Sequence, residues 1–213
     1  IYFFIGHSYI PHLLDCKTYL LSIIIALYYK QVNILSEKRN TPMTTIPRPE
    51  HPRPDLFRPD WINLNGTWDF EIDNDQAGIK KKFFNRPSLN DKIIVPFSPE
   101  SVLSGVGNTD FMNMLWYRRN IEIPKEWDGK NVLLHIGGCD YKTTLYVNGK
   151  IAGTHKGGYI SFTFDITEYL KASDNYITIC AEDDIQSGNQ FSGKQSKQPE
   201  SYACFYTRTT GIW

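Results

Sequence analysis

The chain has 213 residues, 41% of them hydrophobic and 14% aromatic, which is enough apolar side chain for a packed core and too much for a disordered chain. Lys plus Arg and Asp plus Glu each number 23, so the formal net charge is zero, and the strong basic field of a nucleic-acid binder is excluded. Four cysteines (Cys16, Cys139, Cys180, Cys204) form no C-x-x-C pair and five histidines show no H-E-x-x-H spacing, so no zinc framework is indicated and buried free thiols are expected over disulfides.

Residues 1–42 differ in character from the remainder of the chain. Tyr19–Tyr29 is an uncharged, mostly apolar run. It is shorter than the about 20 residues a spanning helix needs, and Asp15 and Lys17 precede it. No positively charged start with a small-residue cleavage site behind it marks a signal peptide. The sequence opens on Ile1, and its first methionine is Met43. We expect residues 1–42 to be a non-domain leader read from upstream of a start at Met43, which gives a cytoplasmic product. A membrane-attached or exported leader is the alternative.

Residues 43–60 form a Pro-rich entry segment. Pro47, Pro49, Pro52, Pro54 and Pro59 remove donors and disfavour helix before them, so the chain runs extended. Short strand patterns come next. Trp68, Phe70 and Ile72 alternate with Asp69 and Glu71, as in a half-buried strand. Ile93–Val95 is a short apolar run closed by Pro96. Trp116–Ile123 is a longer strand ended by Pro124, and Arg118 and Arg119 within it point to opposite faces. Val132, Leu134 and Ile136 alternate again. Thr143–Val147 leads into Asn148-Gly149, a tight hairpin signal because both turn positions need positive φ, and Lys150–Ala152 leads out.

Ser161–Phe164 is a further strand. Asp165 or Thr167 is placed to cap a turn around Glu168–Leu170, and Tyr176–Ala181 is a last strong strand. Gln186–Ser201 is polar and reads as a long mobile loop. Gly157-Gly158 has no helix after it and so is no phosphate loop. Many short strands and almost no helix indicate an all-β sandwich. Pattern alone leaves jelly-roll and immunoglobulin-like topologies open. In such a fold Trp68, Trp116 and Trp127 are expected in the core rather than on sugar.

Several motifs share one order. Arg58-Pro59-Asp60-Trp61 and Leu64-Asn65-Gly66-x-Trp68 open the series. Trp116-Tyr117-Arg118-Arg119, Trp127-Asp128-Gly129-Lys130, Val147-Asn148-Gly149-Lys150 and Gly153-x-His155-x-Gly157-Gly158-Tyr159 continue it. Phe162-x-Phe164-Asp165-Ile166-Thr167 and Thr209-Thr210-Gly211-Ile212-Trp213 close it. Together they resemble the N-terminal sugar-binding domain of family 2 glycoside hydrolases. Pro99-Glu100-Ser101, Leu103-Ser104-Gly105 and Thr109-Asp110-Phe111 are most similar to β-galactosidase-type members.

The resemblance implies a jelly-roll (galactose-binding-like) sandwich over 61–213, ending at the junction to a missing immunoglobulin-like domain, with a catalytic barrel beyond. The implied reaction is retaining hydrolysis of a terminal β-glycoside by two glutamates of that barrel, one in an Asn-Glu pair. This chain has no Asn-Glu pair, so no catalytic residue is assigned to it and it is expected to hydrolyse nothing alone. The resemblance also implies that the front domain lends polar residues to the substrate mouth. The matching positions are Asp183 and Asp184 after the last strong strand, and Asn108 and Asp110 before the Trp-Tyr-Arg-Arg strand. A turn-forming role at strand ends is the competing reading for each.

No cofactor is expected in this chain, and metal use by the parent stays open. The expected partners are a β-galactoside or related carbohydrate, the downstream domains of the same polypeptide and a further copy in a homo-oligomer, with no nucleic acid. A free-standing carbohydrate-binding module, or the front of a β-glucuronidase or β-mannosidase, is the alternative. A sandwich that binds only protein is the third reading.

Overall fold

The structure is a computed structural model that describes residues 45–53, 55 and 58–213 in full and residues 2–5 as backbone. The remaining residues of the expected leader, and Cys16, lie outside the described residues. The alternating patterns become strands β1 (Tyr2–Ile5), β2 (Trp61–Asn63), β3 (Gly66–Ile72), β4 (Asp91–Val95), β5 (Met114–Ile121) and β6 (Val132–Ile136). They continue as β7 (Cys139–Asp140), β8 (Lys142–Val147), β9 (Lys150–Lys156), β10 (Phe162–Asp165), β11 (Asn175–Glu182) and β12 (Gly211–Ile212). No helix among the described residues is long and apolar enough to cross a membrane.

Six strands in the order β4-β3-β5-β11-β8-β9 make the larger sheet, and β10-β6-β1-β2 make the smaller one. β12 pairs with β7, and every strand pairing is antiparallel. Residues 2–5, expected to belong to the leader, run as a strand between β2 and β6.

The core follows from the period-2 pattern. Trp68, Phe70, Ile93, Val95, Leu115, Tyr117, Leu145, Ile177 and Ile179 turn inward from the larger sheet. Val132, Leu134 and Ile136 meet them from β6. Trp127 closes this core too, so all three tryptophans expected inside are buried. Cys139 and Cys180 are buried free thiols and Cys204 is an exposed one. The expected sandwich is present.

Local chemistry sets the edges. Asn148 and Gly149 take φ of 51° and 79°, the left-handed pair that joins β8 to β9. β9 runs beyond the expected Ala152, which is bulged out between the paired Ile151 and Gly153. A side chain on Gly153 would overlap the Phe164 ring, so the glycine lets β10 close over β9. Asp165 accepts from the Thr167 backbone N–H (3.0 Å) and hydroxyl (2.6 Å), an Asx-type turn that leads into the 3-10 turn Thr167–Tyr169. The N-cap position itself is Ile166, which has no side-chain cap, so neither Asp165 nor Thr167 is the cap the sequence suggested.

The paired arginines split as their spacing dictates. Arg119 Nη1 donates to the carbonyls of Leu64 (2.7 Å) and Asn65 (3.1 Å). Arg118 lies on the other face, 4.5 Å from the Tyr176 ring centroid and hydrogen-bonded to Asn120 Oδ1 (3.0 Å).

The outer face of the larger sheet carries a second apolar cluster. Met114, Trp116, Tyr146 and Cys180 are covered there by Phe83 and Leu89 from the segment between β3 and β4. Phe84 stacks on Tyr146 with ring planes 3° apart and centroids 4.6 Å apart. One carboxylate fixes this flap. Asp73 accepts from the backbone N–H of Ala77 (2.9 Å) and Gly78 (2.7 Å) and from Trp116 Nε1 (3.0 Å). A Cβ on Gly78 would sit 2.5 Å from Trp116 Nε1, so a glycine is required where the flap crosses the indole. Replacing Asp73 by Ala strands a buried indole N–H and two backbone donors. The expected loss is about 2–4 kcal/mol, seen as a lower urea midpoint with an unchanged slope.

Candidate functional site

The register of the two central strands builds the site. Met114 pairs with Glu182, so the residues before β5 and after β11 leave the sheet side by side. The Asp183 N–H donates to the Asn113 carbonyl (3.0 Å). The two predicted segments, 108–110 and 183–184, therefore share one end of the sandwich.

At that end the four predicted residues have different surroundings. Asp183 is 3% exposed, and its Oδ1 accepts from Gln190 Nε2 (2.5 Å). The same Gln190 accepts from the Asp184 N–H (3.1 Å), so one amide bridges both aspartates. Asp184 is exposed, and its carboxylate accepts from the Ser187 N–H (3.1 Å), which makes an Asx-type turn. Asn108 is half-buried and its side-chain carbonyl accepts from the Asp110 N–H (2.9 Å), while Asp110 itself is exposed. Asp110 and Asp184 thus form an acidic rim, and Asn108 and Asp183 hold the two loops.

Beneath the rim lies a buried polar cluster that the sequence did not disclose. Glu100 accepts from the Thr210 N–H through both carboxylate oxygens (3.0 and 3.2 Å). Asp140 is 1% exposed and accepts from Gln195 Nε2 (2.8 Å). Gln195 in turn accepts from the Thr209 N–H (2.9 Å) and donates to the Tyr159 hydroxyl (3.1 Å). Arg208 Nη1 donates to the carbonyls of Ser196 (3.2 Å) and Gln198 (2.6 Å), and Nη2 donates to those of Pro199 (3.4 Å) and Thr109. Its guanidinium lies 4.1 Å from the Phe111 ring centroid.

The segment expected to be a mobile loop is therefore pinned at its middle, where Gln195 and Ser196 are 1% and 0% exposed. The composition of 186–201 shows its polarity, but the bonds that hold it come from Asp140 and Arg208, which lie outside it in sequence. An exposed aromatic surface flanks the site. Tyr159 (50% exposed) and Trp213 (43%) meet edge to face at 6.0 Å, and Trp213 Nε1 donates to the Gly158 carbonyl (3.0 Å). Neither ring stands out in the sequence as a site residue, although Trp213 belongs to the closing Thr-Gly-Ile-Trp motif.

Burial shapes the electrostatics. It pushes the Asp140 carboxyl up to about 7, with the charge of nearby Asp183 adding to the effect and the Gln195 amide opposing it. Glu100 is raised by burial against its Thr210 bonds. Asp183 is raised by burial, against the Gln190 and Thr210 bonds and the charge of Arg208. Among the described residues no group of three or more His, Cys, Asp or Glu is placed to hold a metal. Two surface depressions, of about 590 Å³ around Trp127 and about 560 Å³ around Arg118, lie toward the opposite end of the sheet and contain none of the predicted residues. The acidic rim lies outside both depressions. Chemically it offers exposed acceptors beside an aromatic face, which suits hydroxyl-rich ligands.

A carboxyl that binds its proton more tightly when folded stabilises the fold at low pH. That contribution is lost as pH rises through the folded value. For Asp140 the window runs from about 4 to about 7. Asp140→Asn keeps an acceptor for Gln195 and removes the charge. We expect it to raise stability at pH 8 by about 1–2 kcal/mol, to leave stability near pH 4 unchanged, and to flatten the slope between. Urea unfolding across that range measures it.

Comparison with known proteins bears on the family and the fold. Residues 102–189 match the family model described as glycosyl hydrolases family 2, sugar binding domain. A β-glucuronidase from Paenibacillus borealis is 29% identical over 148 residues, covering 66% of this chain and 25% of that protein. A β-galactosidase from Thermoanaerobacter pseudethanolicus is 31% identical over 119 residues, covering 54% of this chain and 14% of that protein. In solved structures, the β-glucuronidase of Lactobacillus rhamnosus superposes with TM-score 0.52 at 27% identity, over 57% of this chain and 21% of that one. The chain thus spans a quarter or less of the length of these relatives. Matched motifs, sandwich and structural neighbours coincide, and this chain carries a sugar-binding domain of the family 2 glycosyl hydrolases.

Proposed function

We propose that this domain is the sugar-facing front of a retaining β-glycosidase. Asp184 and Asp110 reach the rim of a substrate site that a catalytic barrel on the same polypeptide completes, while Asp183 and Asn108 set the loops. The observation that carries this reading is the Asp183 N–H to Asn113 carbonyl bond, which joins the two loops at one end of the sandwich. Exposed carboxylates accept from sugar hydroxyls, and the Tyr159–Trp213 surface offers an apolar face for a ring. Retaining hydrolysis needs two carboxyls about 5 Å apart, one as nucleophile and one as acid/base. Glu100, Asp140 and Asp183 are buried and hydrogen-bonded within the domain. Its role in this reading is to position substrate, and cleavage belongs to the barrel.

A neutral β-galactoside suits the rim better than a uronate, because two exposed carboxylates repel a third. The buried Arg208 gives its donors to carbonyls and offers a uronate little. A β-glucuronide is the second reading, favoured by the names of most of the relatives. Titration of the chain with methyl β-galactoside and methyl β-glucuronide, followed by amide NMR shifts at 108–113 and 183–190, separates the two. Larger shifts with the glucuronide favour the second.

The purified chain is expected to turn over neither a chromogenic β-galactoside nor a β-glucuronide, and measurable hydrolysis would refute the positioning role. In the whole glycosidase, Asp184→Asn keeps the turn to Ser187 and removes the charge. It should raise KM about tenfold, the worth of one charged hydrogen bond. A KM equal to wild type for both Asp184→Asn and Asp184→Ala would remove Asp184 from the substrate rim.

A further inference from the structure

The register of β5 against β11 gathers four polar side chains on the outer face of the larger sheet. Arg118 stands opposite Thr178 and Asn120 opposite Tyr176, so the four form a square of neighbours on one face. Arg118 is 6% exposed, with its guanidinium 4.5 Å from the Tyr176 ring centroid. Its Nη1 donates to Asn120 Oδ1 (3.0 Å) and lies 3.9 Å from the Asp69 carboxylate. The buried Nε has no partner among the described residues, and Nη2 makes no hydrogen bond to them. Thr178, directly across the strand pair and 0% exposed, also leaves its hydroxyl unpaired. Buried polar groups are normally paired. Nε and Nη2 together form one of the guanidinium edges that hold a planar carboxylate through two parallel bonds. That edge is unused within the domain.

A depression of about 560 Å³ opens over this square. Arg118, Asn120 and Tyr176 line it together with Glu122 and Asp174, which are both exposed. The volume suits a sugar-sized ligand, and the mostly polar lining gives an apolar one little to bind. We propose that this depression is a second carbohydrate site, which takes a sugar acid with its carboxylate on the Nε–Nη2 edge of Arg118 and its ring hydroxyls donating to Glu122 and Asp174. The site lies on the sheet face opposite the core and toward the Ile121 end of β5, whereas the acidic rim lies at the Met114 end, about 23 Å away along an extended strand. It does not rest on the reading of that rim. The rim presents exposed carboxylates to a ligand, but here a buried cation stands behind them. Charge order therefore selects a ligand that carries an anion at one end and hydroxyl donors at the other. A bare anion lacks the donors and meets two exposed carboxylates, and a neutral sugar leaves the guanidinium edge unpaired.

Titration of the full chain tests this site. The probes are methyl β-glucuronide, methyl β-glucoside as the same ring without its carboxylate, acetate as the carboxylate alone, and glutamate as an acid that offers an ammonium in place of hydroxyls. Backbone amide NMR shifts at 118–122 and 173–178 report this site, and those at 108–113 and 183–190 report the rim, so each reading fails or stands without the other. The glucuronide should saturate the first set at least about tenfold more tightly than the other three probes. Arg118→Lys keeps the charge but cannot form two parallel bonds, and should weaken the glucuronide about tenfold. Asn120→Asp changes an exposed residue, keeps the acceptor for Arg118 Nη1 and adds a negative charge beside the site. It should weaken the glucuronide by a similar factor, and it gives a result even if the Arg118 variant fails to fold. Glucoside or acetate binding as tightly as the glucuronide overturns the proposal, and so does glutamate, which would make the ligand an amino acid. Absence of shifts at 118–122 and 173–178, or affinity unchanged by Asn120→Asp, overturns it equally.

Discussion

The pairing of β5 with β11 is the constraint on which the rest of the structure depends. Eight consecutive residue pairs, from Asn175–Ile121 to Glu182–Met114, lock these strands at the centre of the larger sheet. With a side-chain period of two, that single register decides every facing choice around it. Leu115, Tyr117, Ile177 and Ile179 go inward, whereas Trp116, Arg118 and Cys180 go outward. It also delivers Asn113 and Asp183 to the same place. A slip of one residue would empty the core and separate the two loops at once, so the fold and the candidate site share one determinant.

The polar end solves a difficult electrostatic problem. Three carboxyls, Glu100, Asp140 and Asp183, are buried near one another. Burial of like charges is tolerable only where donors are plentiful or a proton is retained. The donors here are the Thr210 backbone and the Gln190 and Gln195 amides, and the retained proton falls to Asp140 near neutrality. The result is a hydrogen-bonded base of buried carboxyls, each holding its proton more tightly because of burial, beneath an acidic, water-facing rim. Asp110 and Asp184 stay exposed above it, with the Asp184 carboxylate oriented by the Ser187 N–H.

Most of the sandwich is legible in the sequence because it rests on local signals. Alternation marks β3 and β6, a run of strand-forming residues marks β11, Asn148-Gly149 marks the hairpin, and Asp165 marks the turn after β10. β2, β7 and β12, each of two or three residues, carry too few side chains to show a period, and β9 reads short because Gly153 weakens its pattern. The site is legible only in outline. Asp183 and Asp184 stand at a strand end, where turn chemistry and ligand chemistry look the same in one dimension. Asp140, Gln195 and Arg208 act across long sequence separations, and nothing in their own neighbourhoods distinguishes them from surface residues. Their importance comes from burial, which composition does not encode.

Arg208 addresses peptide carbonyls throughout. Its guanidinium reads the path of the backbone at Thr109, Ser196, Gln198 and Pro199 and is indifferent to the side chains those positions carry. The contour of this end is therefore written in main-chain atoms. Surface chemistry there is free to drift under mutation while the shape persists, and a new ligand preference can arise by recolouring a fixed relief.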